Sequence, residues 1–186
     1  MPQAASYDRA GPVPPACGAP VSASDFRAAL SRLATTVSVI TSDGPAGRAG
    51  LTCSAVCAVS DAPATLIACV HGKSAANAVI KANGVLCVNS LQAAQLNLSQ
   101  AFAGIGGMAM PQRFALAEWG VLATGAPLCR DALAAFDCDV VEARDVGTHT
   151  VFFAKVVATA EAGDGEPLLY QRRAYATARP LCPAEA

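Results

Sequence analysis

The sequence has few charged residues and no excess of either sign of charge. Of its 186 residues, 15% are charged and 5% are aromatic, and 13 Lys and Arg nearly balance 14 Asp and Glu. Proteins that bind nucleic acid or an anionic membrane surface concentrate positive charge on one face. The formal net charge of −1 therefore argues against both kinds of partner.

Segments that direct a chain into or across a membrane are also missing. No run of about 18 apolar residues occurs, so we expect no membrane-spanning helix. The N-terminus has no basic cluster followed by an apolar block, so we expect no signal peptide.

The eight cysteines do not follow a metal-binding or disulfide pattern. No CxxC pair occurs and the chain has only two histidines, so we expect no metal site. Five cysteines occur in apolar, strand-like segments, where a free thiol behaves as a small hydrophobic residue. These are Cys53, Cys57, Cys69, Cys87 and Cys138. We interpret them as reduced thiols of a cytoplasmic protein.

Common catalytic motifs are absent as well. The GIGG segment at 104–107 follows a helical pattern rather than a strand, so it is not a dinucleotide-binding fingerprint. There is no P-loop, and no GxSxG motif surrounds Ser54 or Ser74. Carboxylates are few and none pair in apolar surroundings. The sequence therefore favours a protein whose cofactor does the chemistry.

What is present predicts one domain, since a chain of this length normally forms one. Residues 1–22 are rich in Pro, Ala and Gly and lack periodicity, so we expect a mobile arm. The domain should extend over residues 23–178, and residues 179–186 should form a tail.

The hydrophobic pattern predicts a mainly β domain with a few short helices. Most strands follow one another with little helix between them, which favours an antiparallel sheet or barrel over a doubly wound parallel sheet. A first helix should be capped by Ser24, with Phe26, Leu30 and Leu33 on one face. Strands are predicted at 35–41, 49–60, 64–70, 85–91, 132–144, 149–160 and 167–177, helices at 25–33, 74–82 and 92–102, and a loop at 104–114.

The most informative segment is GRAGLTCSAVCAVS, residues 47–60. A strand buried only for packing would contain Val, Ile and Leu throughout, but this one places Thr52, Cys53, Ser54 and Ala55 together. Small side chains allow a flat ligand to lie against the backbone, and hydroxyls and amides can bind its polar edge. The segment therefore indicates a bound planar cofactor.

Lys73 and Ser74 lie at a predicted strand-to-helix junction. Free amides at a helix N-terminus and a nearby lysine suit a phosphate group, although a plain cap with a solvated lysine explains the same residues.

Two other groups of residues have both a functional and a structural interpretation. His149 begins an apolar strand, where it could be a ligand contact or a hydrogen-bonded structural residue. Arg172, Arg173 and Tyr175 could bind a ribose or pyrophosphate, or form a solvated basic edge. Together these residues outline a flavin or dinucleotide site without acid–base side chains.

At these residues the chain resembles the short flavin reductases of two-component, flavin-dependent monooxygenases. The resemblance extends from about Phe26 to Arg179 and is greatest to reductases that serve chlorophenol and 4-hydroxyphenylacetate hydroxylases, with the pyrimidine-utilisation flavin reductase similar too. It is carried by FRAALSRLATTVSVIT, DGPAGRAGLTCSAVCAVSDAP, NGVLCVNSL, FAGIGGMAMPQRF followed by Trp119, GTHTVFFAKV and LLYQRRAY.

The resemblance implies a split β-barrel with a Greek-key-like, FMN-binding fold, in an obligate homodimer. It implies that NADH, or NADPH, gives a hydride to FAD or FMN, and that reduced flavin leaves for a separate monooxygenase that hydroxylates an aromatic compound. Hydride would pass directly between two stacked rings, and His149 would be the catalytic residue that orients the nicotinamide, with Arg173 and Tyr175 beside it. The implied flavin contacts are Ala49, Gly50, Leu51, Thr52, Cys53, Ser54, Ala55, His71, Lys73, Ser74, Ala75, Ala101 and Phe102.

The chain departs from the family pattern near the expected phosphate. Ala64 replaces a proline often found after Pro63, and Ala75 and Ala76 lack a hydroxyl that many relatives carry. The choice between FAD and FMN therefore stays open. Two other functions share the fold class, namely a non-catalytic flavin- or haem-binding module and an enzyme like pyridoxine-phosphate oxidase, which would need more Arg and Lys around a substrate phosphate.

Overall fold

A seven-stranded antiparallel sheet forms the centre of the protein. The structure, a computed structural model, describes residues 20–161 and 164–179. The strands lie in the order β3-β2-β6-β9-β10-β5-β4. Their bounds are β2 Ser38–Ser42, β3 Ala49–Cys53, β4 Val56–Asp61, β5 Ala64–His71, β6 Val85–Ser90, β9 Ala134–Val146 and β10 His149–Glu161.

Shorter elements surround this sheet. Strands β1 (Thr35–Thr36), β11 (Leu169–Gln171) and β12 (Ala174–Ala176) form a small second sheet, and β7 (Trp119–Val121) pairs with β8 (Pro127–Cys129). The helices are α1 (Ala23–Leu30), α2 (Ala75–Asn83), α3 (Leu96–Phe102) and α4 (Met110–Phe114), with a 3₁₀ turn at Ala93–Gln95 before α3. The prediction of a mainly β fold with a few short helices is confirmed.

Strands β3 and β4 are consecutive in sequence but stand at opposite ends of the large sheet. The prediction of one continuous strand over 49–60 is therefore wrong. The chain leaves the edge of β2 at Cys53 and crosses to β5, where the Ala55 carbonyl accepts a hydrogen bond from the Cys69 amide (2.9 Å). No ladder joins β3 to β4 in the described residues, so the strands do not form a closed ring.

Helix α1 differs from its prediction in both position and contacts. Ser22, not Ser24, caps it, since the Ser22 hydroxyl accepts a hydrogen bond from the Asp25 amide (3.1 Å). The three apolar side chains placed on one face are exposed, Phe26 by 54%, Leu30 by 46% and Leu33 by 59%. The reason is that α1 lies outside the sheet and has no buried residue.

Two C-terminal predictions also need correction. The Gly-rich segment 104–114 is not loop throughout, because its last five residues form α4, with Pro111 in the first turn where its missing N–H costs nothing. The segment 167–177 is not one strand but a hairpin of β11 and β12. Its turn residues, Arg172 (φ 50°) and Arg173 (φ 63°), adopt the left-handed conformation.

Two clusters of buried side chains lie on either side of the sheet. One packs under α2 and includes Ile40, Ile80 and Phe152. The other, which includes Phe102 and Phe114, packs α3 and α4 against the sheet. Helix α2 ends at Gly84 in the left-handed conformation (φ 70°), as the Asn-Gly pattern predicted.

The cysteines differ in burial. Cys87 and Cys138 are fully buried, and burial is the main cause that raises the pKa of Cys138 to about 12 and the pKa of Cys87 further. Both therefore remain neutral thiols in the core. Cys57 also lies in a strand, β4, but its side chain is exposed. In the described chain, no group of three or more His, Cys, Asp or Glu is arranged to hold a metal ion.

Two predicted segments lie mostly outside the residues that the structure describes. The arm at 1–22 lies outside the described residues except for 20–22, and the tail at 179–186 lies outside them except for Arg179.

None of the helices in residues 20–161 and 164–179 combines the length and hydropathy that a membrane span requires.

Candidate functional site

A cavity of about 360 Å³ lies between β3, the start of α2, the end of α3 and α4. Because β3 is the last strand of the large sheet, its outer edge forms no ladder in the described chain. An unpaired edge leaves backbone amides and carbonyls available to a ligand. The cavity is lined by Gly50, Leu51, Thr52, Ser74, Ala75, Ala76, Phe102, Ala103, Gly104, Met110 and Arg113.

Gly50 allows β3 and α3 to approach closely. A Cβ atom at Gly50 would lie 2.6 Å from Phe102 Cε1 and 3.2 Å from the Ile40 carbonyl oxygen. Phe102 is held in turn by edge-to-face contacts with Phe114 (ring centroids 5.1 Å apart) and Trp119 (5.8 Å). The absent side chain at Gly50 therefore accommodates the Phe102 ring, and the two residues together form one wall of the cavity.

Thr52 connects β3 to α3 through its hydroxyl. The Thr52 hydroxyl donates a hydrogen bond to the Ser99 carbonyl (2.6 Å), and the Ser99 hydroxyl lies 3.0 Å from the Tyr175 hydroxyl. Tyr175 also packs edge-to-face on Tyr170 (5.3 Å between centroids). The structure thus joins Tyr175 to the cavity wall through Ser99, although Tyr175 does not line the cavity itself.

The turn between β5 and α2 brings Ser74 and Ala75 to the cavity. Ser74 is the N-cap residue of α2, but its side chain makes no capping hydrogen bond. Lys73 is exposed and does not line the cavity. Its backbone amide donates to His71 Nδ1 (3.1 Å), which shapes the turn.

The two histidines of the chain meet at the ends of neighbouring strands. His71 ends β5 and His149 begins β10, directly opposite each other in the ladder. Their ring centroids are 5.0 Å apart in an edge-to-face arrangement. His149 Nδ1 lies 2.9 Å from the Thr148 hydroxyl oxygen. Both rings are exposed and stand beside the turn into α2, outside the residues that line the cavity.

The remaining predicted site residues fall into two groups. Ala49, Cys53 and Ala101 are buried behind the cavity wall, and burial raises the pKa of the Cys53 thiol. Ser54, Ala55 and Arg173 are exposed, the first two on the link between β3 and β4 and the third on the β11–β12 turn.

Comparison with known proteins identifies the family. Residues 30–179 match the family described as "Flavin reductase like domain". The chain belongs to this family. It is 48% identical over 158 residues to the FMN reductase (NADH) RutF of Methylorubrum populi, covering 85% of this chain and 77% of that protein.

Solved structures have the same fold. Superposition on ycdh from Haemophilus somnus gives a TM-score of 0.81 at 38% identity, covering 85% of this chain and all of that one. BorF, the flavin reductase component of a bacterial two-component tryptophan halogenase, gives a TM-score of 0.77 at 27% identity, covering 84% of this chain and 98% of BorF. The expectation that the chain is a flavin reductase, and so an enzyme, is confirmed.

Sequence reasoning missed part of the cavity of this flavin reductase. The missed lining residues come from the end of α3, the glycine-rich loop and α4. The segment FAGIGGMAMPQRF contributes to the family resemblance, but its glycines predicted a loop and gave no indication of which side chains face the site. The residues concerned there are Ala103, Gly104, Met110 and Arg113, and Ala76 in the first turn of α2 was missed as well.

The cavity fits a flavin by its chemistry. It offers a free strand edge to the polar edge of a planar ring, an aromatic wall at Phe102, and small side chains at Ala75 and Gly104. Its volume lies within the usual range of about 300–1,000 Å³ for small-molecule sites. Among the residues that the structure describes, no carboxylate, histidine or cysteine lines it. A site of this composition can bind and orient a cofactor, but its lining offers no side chain for general acid–base catalysis.

Proposed function

We propose that this flavin reductase oxidises NADH and reduces FMN or FAD bound in the cavity at the β3 edge. The observation that carries the proposal is this cavity, with its free strand edge and no acid–base side chain, in a chain of the flavin reductase family. The name of the M. populi relative, FMN reductase (NADH) RutF, supports NADH as donor and FMN as acceptor.

The β3 edge would hold the pyrimidine side of the flavin. A bound flavin supplies the hydride-accepting ring, on which negative charge grows during reduction. Backbone amides along Gly50–Thr52 would stabilise that charge, because fixed donors act strongly in a site that excludes water. Ala49 and Cys53, the buried end residues of β3, and the buried Ala101 on α3 would hold the wall in place, while the exposed link at Ser54 and Ala55 would leave the edge accessible.

Three further residues would bind the nicotinamide nucleotide. His149 would orient the nicotinamide ring, with His71 packed against the His149 ring edge. Arg173 and Tyr175, on β12 and its turn, would contact the ribose or phosphates. Direct hydride transfer needs the two rings roughly 3–3.5 Å apart, so the task of these residues is positioning rather than proton transfer.

Reduced flavin would then leave for a separate monooxygenase that hydroxylates an aromatic compound, such as a chlorophenol or 4-hydroxyphenylacetate hydroxylase. The similarity to BorF, which is one component of a two-component system, supports a partner oxygenase. We propose that the domain spans residues 23–178 and that the protein is a homodimer. The exposed apolar side chains of Phe26 and Leu30 on α1 suit a subunit contact.

Steady-state oxidation of NADH and of NADPH with FMN, FAD and riboflavin tests the proposal. We expect turnover with NADH and at least one phosphorylated flavin, and purified protein that carries little flavin. Absence of NADH oxidation with every flavin would instead favour a non-catalytic flavin- or haem-binding module. Light scattering during gel filtration tests the homodimer, and a monomeric mass would contradict it.

A further inference from the structure

Arg113 is the one charged residue among those that line the cavity in the described part of the chain. It lies on α4, whose first turn is fixed by the hydrogen bond that the Ala109 amide donates to Gln112 Oε1 (2.9 Å). Arg113 Nε donates to the Met108 carbonyl (2.8 Å). These bonds hold the guanidinium in place before any ligand arrives.

The rest of the guanidinium has no anionic partner within residues 20–161 and 164–179. Ion pairs there join Arg48 to Asp43, Lys81 to Asp145 and Arg144 to Glu142, but none includes Arg113. The only hydrogen bond of the Arg113 side chain in this part of the chain comes from Nε, which leaves the two terminal nitrogens for a ligand. A cation held at a cavity wall with its terminal nitrogens uncommitted can form charge-assisted hydrogen bonds to a ligand, so its presence there favours an anionic ligand group.

Lys73, the cation that the sequence suggested for this role, does not line the cavity. Its side chain is exposed, and its backbone contributes to the turn through His71. The anionic part of a phosphorylated flavin is its phosphate, and the planar guanidinium fork suits phosphate oxygens better than a single ammonium does.

We propose that Arg113 binds the flavin phosphate and makes the site selective for FMN or FAD over riboflavin. This assignment rests on the proposed function, because it takes the cavity to be the flavin site. It names a residue for discrimination between phosphorylated and unphosphorylated flavin, and it removes Lys73 from that role.

Equilibrium binding of FMN, FAD and riboflavin, followed by flavin fluorescence without any nicotinamide nucleotide, tests the proposal. Arg113→Gln should raise the Kd for FMN about 10- to 100-fold, the loss expected for a charged hydrogen bond, and should leave the Kd for riboflavin within about twofold. Lys73→Gln should change the Kd for FMN little. Arg130→Gln, at an exposed arginine outside the cavity, is the matched control and should change none of the three.

A second variant covers the case in which Arg113→Gln fails to fold. Arg113→Lys keeps the charge and loses the planar fork, so it should weaken FMN binding by a smaller factor and again spare riboflavin. Equal losses for FMN and riboflavin, no loss for FMN, or a larger loss in Lys73→Gln would each overturn the proposal. The binding measurements contain no NADH, so their outcomes are distinct from a failure of the wild-type protein to oxidise NADH. That failure would contradict the proposed function itself.

Discussion

Replacing Gly50 with alanine tests how the cavity wall is built. Gly50 has an ordinary backbone conformation, so an alanine there is not strained by its φ angle. The new Cβ would instead lie 2.6 Å and 2.9 Å from two ring carbons of Phe102 and 3.2 Å from the Ile40 carbonyl. Phe102 is 2% exposed and packed against Phe114 and Trp119, so it can move away from the new Cβ only by breaking these contacts or by entering the cavity.

Two consequences follow from this overlap. Overpacking of a dense core costs about 1–3 kcal/mol, so Gly50→Ala should lower the free energy of unfolding by that amount. For a chain of this length, each kcal/mol corresponds to about 2–4 °C, which gives a fall in Tm of about 2–12 °C. Since Phe102 also lines the cavity, its displacement should weaken flavin binding as well.

Urea denaturation and flavin titration of five proteins measure both effects: the wild type, Gly50→Ala, Gly120→Ala, Phe102→Leu and the double variant at 50 and 102. Gly120→Ala is the matched control, because Gly120 also lies in a strand and its nearest atom to an added Cβ, in Arg130, is 3.7 Å away. In a Phe102→Leu background the cost of Gly50→Ala should fall by at least about 1 kcal/mol, since the two sites share one contact. If Gly50→Ala is as stable as Gly120→Ala, or if its cost is unchanged beside Leu at 102, the reasoning is refuted.

Three other substitutions test separate features. Asp145→Asn should lower the free energy of unfolding at pH values above the ordinary carboxyl pKa of 3.8, because hydrogen bonds from Lys81 and Thr150 lower the pKa of Asp145 in the folded protein. Urea titrations should show the free energies of unfolding of wild type and variant converging as the pH falls through that lowered pKa. Arg173→Gly should raise the free energy of unfolding by about 0.5–1 kcal/mol, because glycine relieves the left-handed backbone strain by more than its own backbone entropy costs. The same change should raise the KM for NADH, and an unchanged KM would remove Arg173 from the site. His149→Ala should raise the KM for NADH and leave the flavin Kd nearly intact, and unchanged kinetics would exclude His149.

Local patterns in the sequence predict the parts of the fold that depend on local interactions. The alternation of apolar residues and hydroxyls in 35–41 predicts a strand, most of which is β2, because neighbouring side chains of a strand point to opposite faces. Gly84 ends α2 because it alone tolerates the left-handed turn without strain. The hairpin between β2 and β3 follows from the Gly and Pro residues at 43–47.

Features that depend on distant contacts could not be predicted in the same way. The amphipathic pattern of α1 predicts a buried face, but burial requires a neighbouring element, and no part of the described chain covers Phe26 or Leu33. Likewise Arg113 enters the cavity only because α4 packs beside α3, an arrangement determined by the aromatic contact of Phe114 with Phe102. The spacing of residues in the sequence shows neither the exposure of α1 nor the entry of Arg113 into the cavity.

The hydroxyl of Thr52 shows how the two kinds of information combine. The sequence correctly places Thr52 on a strand that lines the cavity, and it suggests that the hydroxyl binds the ligand's polar edge. In the folded chain the hydroxyl proton is already donated to the Ser99 carbonyl (2.6 Å), so towards a ligand the oxygen can only accept. Under the proposed function, donors for the developing negative charge at this edge would then be backbone amides of β3 rather than the Thr52 hydroxyl, and a side-chain substitution at Thr52 leaves these amides in place.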